Sequence, residues 1–81
     1  MLHPTGLPLS QMHERAAAHI HSVLTDGPTR IRLLGMGLGT GTRIEVLRNR
    51  KGDVVLGNGN NRISLGRSIT DHIMVHVQEQ D

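Results

Sequence analysis

Apolar and polar residues alternate along much of the chain, and the alternations stop at glycine or asparagine clusters. In "AAAHIHSVL" Ala18 and Ile20 alternate with His19 and His21, a strand with one buried face, although the alanines before it also suit a helical turn. "RIRLLGM" places Ile31, Leu34 and Leu38 at helical spacing, enough for one or two turns ended by glycine. From Thr42 the period is two: Ile44 and Val46 alternate with Arg43 and Glu45, "NRKGD" turns the chain at Gly52, and "DVVLG" returns. "NGNN" is the strongest turn signal, because Asn and Gly tolerate positive φ. "RISL" then gives another strand, "GRSITD" one helical turn with a cap at Ser68, and "HIMVHV" a last strand with Ile73, Val75 and Val77 on one face.

Five short strands with one or two short helices predict a mainly β protein. Closing so small a sheet on itself leaves no long exposed edge, so the expected architecture is a small SH3-like β-barrel. Residues 1–8, with prolines at 4 and 8, read as a flexible N-terminal arm, 9–77 as the barrel and 78–81 as a solvated tail.

Composition narrows the function. The chain has 81 residues, so one small domain burying about 60% of its unfolded surface. There is no cysteine, hence no disulfide, thiolate metal site or cysteine nucleophile. Neither a signal peptide nor a run of about 20 apolar residues is evident, which together with the missing cysteines predicts a cytoplasmic location. The net charge of +2 is mild. The absence of Phe, Trp and Tyr takes the main physical support from base stacking, polyproline grooves and aromatic cages.

The alternate glycines of "LLGMGLGTGTRIEV", Gly35, Gly37, Gly39 and Gly41, invite a phosphate-loop reading. The spacing fits neither a dinucleotide fingerprint nor a Walker loop, since no glycine falls at the sixth place and Lys51 lies beyond the next strand. A turn-forming role is expected, with Met36 and Leu38 either in the core or presented to a partner.

His19 and His21 are spaced i, i+2 and His72 and His76 i, i+4, so if the first and last strands are neighbours all four share an outer patch. Imidazoles suit borderline metals, which makes these four the candidates for weak transition-metal binding; the alternative is a solvated face. No cofactor is required. Arg43, Arg48 and their basic neighbours fit docking on an acidic protein surface better than nucleic acid, given no stacking aromatics and no recognition helix. The acids form no catalytic set, and no enzyme is predicted.

Three segments, "LPLSQM", "RLLGMGLGTGTRIEV" and "NRISLGRSITDHIMVHV", resemble the ferrous iron transport protein A family, FeoA. Met36, Gly37, Leu38, Gly41, Ile44 and Val46 occupy its Leu-Gly-Leu-x-x-Gly-x-x-Ile-x-Val pattern, and Ser64 replaces an alanine in its Ile-Ala-Leu-Gly-Arg ending. The chain departs from the family at His13, Glu14 and Arg15, where a Pro-Gly turn is usual, and at Thr40 in place of proline. The resemblance implies an SH3-like barrel of the bacterial cytosol that docks on the cytosolic part of a FeoB-type ferrous iron transporter and modulates its assembly or GTPase cycle. It meets the membrane only through that transporter, and self-association stays open. The partner-binding candidates are Leu34, Met36, Leu38, Arg43 and Arg48. The module also resembles the C-terminal domain of DtxR-type metal-dependent repressors. Alternative functions are a metal-binding or metal-responsive module using the histidine patch, or a weak nucleic-acid-associated barrel.

Overall fold

A computed structural model describes residues 6–77. Strand β1 (Leu7–Pro8) leads into a single 3-10 turn (Leu9–Gln11), followed by β2 (Ala17–Val23), helix α1 (Gly27–Gly35), β3 (Arg43–Arg50), β4 (Asp53–Asn58), β5 (Asn61–Leu65), a one-turn helix α2 (Arg67–Thr70) and β6 (Ile73–Val77). The strands form one antiparallel sheet in the order β1-β6-β2-β3-β4-β5. The fold is mainly β and of the SH3-like class, but the sheet does not close by a hydrogen-bonded ladder, since β1 and β5 are its two edges. The 3-10 turn touches β4, α2 and β6, and so bridges the opening that a ladder would otherwise seal.

The additional strand is β1, inside the stretch read as an arm: Leu7 pairs with Val75 and Pro8 with Met74. Pro8 is compatible with an edge strand because its missing N–H is needed by no outer neighbour. Residues 1–5 and the tail at 78–81 lie outside the described residues.

The core follows the alternation until two bulges shift it. Ala18 and Ile20 are buried, but Ile20 pairs with Val75 and Ser22 with Met74, leaving His21 as the extra residue; the buried parity then passes to Val23. In β3, Ile44 and Val46 are buried, Leu47 is the extra residue, and Asn49 becomes the next inward position. Such bulges bend the strand and raise its twist, which suits a small curled sheet. Leu9, Met12, Leu33, Leu38, Val54, Leu56, Leu65 and Ile73 complete the main core.

The turns are as expected, with one change of cap. Lys51 and Gly52 both have positive φ, at 54° and 97°, the combination a two-residue type I′ hairpin requires. Gly59 has φ 63° in the β4–β5 turn. Ser68 lies inside α2 and does not cap it; the N-cap is Gly66, and the Arg67 N–H donates to Asp53 Oδ1 at 2.9 Å.

Helix α1 starts at Asp26, whose Oδ2 accepts from the Thr29 N–H, with a proline in its first turn. It ends in a Schellman motif: the Leu38 N–H donates to Leu33 O and the Gly37 N–H to Leu34 O, with Gly37 at φ 87°. The i, i+3 spacing of Ile31 and Leu34 does mark a helix, but its face is reversed. Leu33 alone of α1 is buried, while Ile31 and Leu34 are 69% and 57% exposed. Leu38 reaches the core from beyond the helix end, and at about 100° per residue Ile31 lies nearly opposite Leu33.

Candidate interaction surface

The glycine loop uses its own backbone donors. Beyond the Schellman bonds, the Gly39 N–H donates to Thr42 Oγ1 and the Gly41 N–H to Ile20 O at 2.7 Å, with Gly41 at φ 89°. A phosphate cradle needs such groups pointing outward together, whereas these close a turn and tie it to β2. The loop shapes the surface beside it.

The partner-binding candidates separate. Leu38 is 1% exposed and belongs to the core. Leu34 and Met36, 57% and 39% exposed, stand together at the end of α1. Arg43 opens β3 opposite His19, and Arg48 lies five residues further along, about 16 Å at strand rise. Arg48 lines a different depression with Arg50, Val54, Val55 and Leu65. Sequence reasoning missed Leu24, 62% exposed just before α1, and the outward turn of Ile31; both were invisible without knowing which side of the helix meets the sheet.

Three of the four histidines are brought together. His19 and His76 are directly opposed in the β2–β6 ladder, and the His21 ring stacks on His76 with centroids 4.5 Å apart and planes 13° from parallel. In-plane lone pairs of stacked rings run side by side rather than converging on a point. Among the described residues no three His, Asp or Glu side chains are grouped to hold a metal ion. His72 sits in the turn before β6, its carbonyl accepting from the Leu24 N–H, about 13 Å of strand from His76.

A polar network on another side of the fold carries structure. Asn49 Nδ2 donates to Ser10 O and Met12 O at 2.9 and 2.7 Å, and Asn49 Oδ1 accepts from the Gly52 N–H at 2.9 Å. The buried Thr70 hydroxyl donates to Gly52 O at 2.5 Å. Asp71 accepts from the Ser10 hydroxyl at 2.6 Å and from Arg67 Nε at 3.4 Å. The Ser10 hydrogen bond, aided by the Arg67 charge, holds the Asp71 carboxyl below its usual pKa, and Thr29 does the same for Asp26. Asp71 therefore serves the link between the 3-10 turn and α2.

Among the described residues no helix is long and apolar enough to cross a membrane. An antiparallel six-stranded sheet, a bridging 3-10 turn and one capped helix with an apolar outer side define a small SH3-like domain. Its sequence matches the FeoA domain over residues 7–77, and the chain belongs to that family. A Methanocaldococcus jannaschii protein provisionally named Fe(2+) transport protein A is 35% identical over 48 residues, covering 59% of this chain and 58% of that protein. The chain thus matches little more than half the length of this curated relative. A crystal structure of an iron uptake regulatory protein (FeoA) superposes with a TM-score of 0.79 at 27% identity, covering 89% of this chain and 96% of that one. A manganese-dependent transcriptional repressor shares the fold at TM-score 0.82 and 18% identity, this chain matching 43% of its length.

Proposed function

We propose that this chain is a non-catalytic accessory module of ferrous iron transport, working in the cytoplasm as one domain over residues 9–77 with β1 packed on its edge. It docks on the cytosolic part of a FeoB-type transporter and modulates that protein's assembly or GTPase cycle. Membership of the FeoA family over nearly the whole chain supports the pathway. The observation that carries the docking mode is the apolar outer side of α1, where Ile31 and Leu34 are more than half exposed although the core is complete without them. A small domain whose three most exposed aliphatics among the described residues, Leu24, Ile31 and Leu34, lie on or next to one helix has a surface suited to a partner.

The test is a calorimetric titration of the full chain into the transporter's cytosolic domain, with GTP turnover followed in parallel. Saturable one-to-one binding and a changed turnover rate support the reading. No heat and no rate change up to about 1 mM, a binding free energy weaker than about 4 kcal/mol, sink it.

A second reading, weak transition-metal binding, is favoured by the opposition of His19 and His76 and the contact of His76 with His21. Rotation of one ring out of the stack would turn both lone pairs toward one ion. Zn(II) titration followed by histidine ring NMR checks this: saturable shifts at His19, His21 and His76, abolished in His76→Ala, support it. Shifts that persist in His76→Ala remove the patch from consideration.

A further inference from the structure

The outer side of α1 has an order that the core does not require. At about 100° per residue, the line opposite buried Leu33 runs through Pro28, Ile31 and Gly35, with Leu34 beside it. Arg30 and Arg32 are exposed and border this stripe, one on each flank. Next to it lies a groove of about 260 Å³, with Val23, Leu34 and Leu38 as its apolar lining and Arg30 among its polar residues. Gly39 also lines the groove, and a Cβ there would stand 2.7 Å from Leu34 Cδ2, so glycine is what lets Leu34 lie where it does.

We propose that α1 and this groove seat an amphipathic helix of a protein partner, its apolar ridge on Ile31 and Leu34, one large aliphatic or aromatic side chain in the groove, and carboxylates facing Arg30 and Arg32. This rests on the docking reading above and names its surface and its recognition chemistry. Charge selects the occupant. A second copy set α1 against α1 would bring arginine to arginine, because α1 holds no acid and the carboxylate of Asp26 is occupied as the cap. A lipid surface is the poorer fit: the chain has no Trp or Tyr to anchor at an interface, and a concave seat matches a protruding side chain rather than a bilayer. Arginine-bordered apolar stripes pair with acid-bordered ones, the attraction setting partner choice and encounter rate while the apolar contact supplies affinity.

The experiment compares the wild-type chain with Ile31→Asp and with the double variant Arg30→Glu/Arg32→Glu, all at exposed positions. Three probes are titrated: the transporter's cytosolic domain, a synthetic helix with a leucine stripe flanked by glutamates or by lysines, and phosphatidylglycerol vesicles. Each variant is expected to weaken binding of the transporter domain and of the glutamate-flanked helix by about tenfold or more. The double charge reversal should transfer preference to the lysine-flanked helix. If the transporter domain binds all variants equally, docking stands and this surface is wrong. If it binds none of them while the synthetic helices show the charge exchange, the transporter reading falls and the seat survives. If neither synthetic helix discriminates, or if only vesicles respond to Ile31→Asp, the proposed seat is refuted.

Discussion

Replacing Asn49 with alanine removes three hydrogen bonds at once, the two to Ser10 O and Met12 O and the one from the Gly52 N–H. Two of them join the 3-10 turn and its following loop to β3, alongside the Asn49 N–H to Glu14 Oε2 bond at 2.8 Å, and the third closes the β3–β4 hairpin turn. At about 1 kcal/mol net per bond, with partly buried backbone groups left unpaired, the loss is about 3 kcal/mol. An 81-residue domain has a total stability of about 4–12 kcal/mol, so this one amide supports a large share of it. The thermal midpoint should fall by about 12–24 °C and the urea midpoint by about 1–3 M. Arg50→Ala, at the adjacent exposed position, serves as the control and should change stability by less than about 0.5 kcal/mol. An Asn49→Ala protein within about 0.5 kcal/mol of wild type in urea denaturation would mean that water replaces the amide, and that the network does not hold the loop.

Gly52→Ala should cost about 2 kcal/mol or more in the same assay, because φ 97° is left-handed and the new Cβ would sit 2.6 Å from Arg67 Cγ; Gly59→Ala, at φ 63° in open space, should cost less. Equal losses at the two glycines would count against the packing argument. Leu38→Ala should destabilise by about 2–5 kcal/mol and Leu34→Ala by far less, since only the first is enclosed. The pKa values of Asp26 and Asp71 are depressed by folding, so their stabilisation is complete above the unfolded value of about 3.8 and is lost as pH falls through the folded values. On the acid limb, stability should therefore start to decline only as pH falls below about 3.8. Asp71→Asn should make that limb shallower, and an unchanged limb would contradict the assigned Ser10 contact.

The five longer strands were legible because period two survives in any sheet that packs on one side, whereas two-residue β1 is too short to show a period. The hairpin at Lys51 and Gly52 and the helix stop at Gly37 were legible for a sharper reason: few residues but glycine take those dihedrals readily. What escaped was set by tertiary neighbours. The bulges at His21 and Leu47 leave no local mark, yet they decide that Val23 and Asn49 turn inward. Helical spacing announced α1 without stating that Leu33, rather than Ile31 or Leu34, meets the sheet. The candidate site shared that fate. Leu34 and Met36 are exposed at the end of α1, Leu38 went to the core, and Arg48 went to another part of the surface. The four-histidine patch was conditional on the first and last strands being neighbours, as the long strands β2 and β6 are, but His72 is left in a turn.

The most direct test of the central claim is an amide-proton NMR titration of the labelled chain with the cytosolic GTPase domain of its own organism's iron transporter, repeated with Fe(II) or Zn(II). The account predicts shifts concentrated from Leu24 to Thr40, centred on Ile31, Leu34 and Met36, and the same with or without metal. A transporter domain that leaves these amides unmoved at high micromolar concentration, while metal alone shifts His19, His21 and His76, would contradict it.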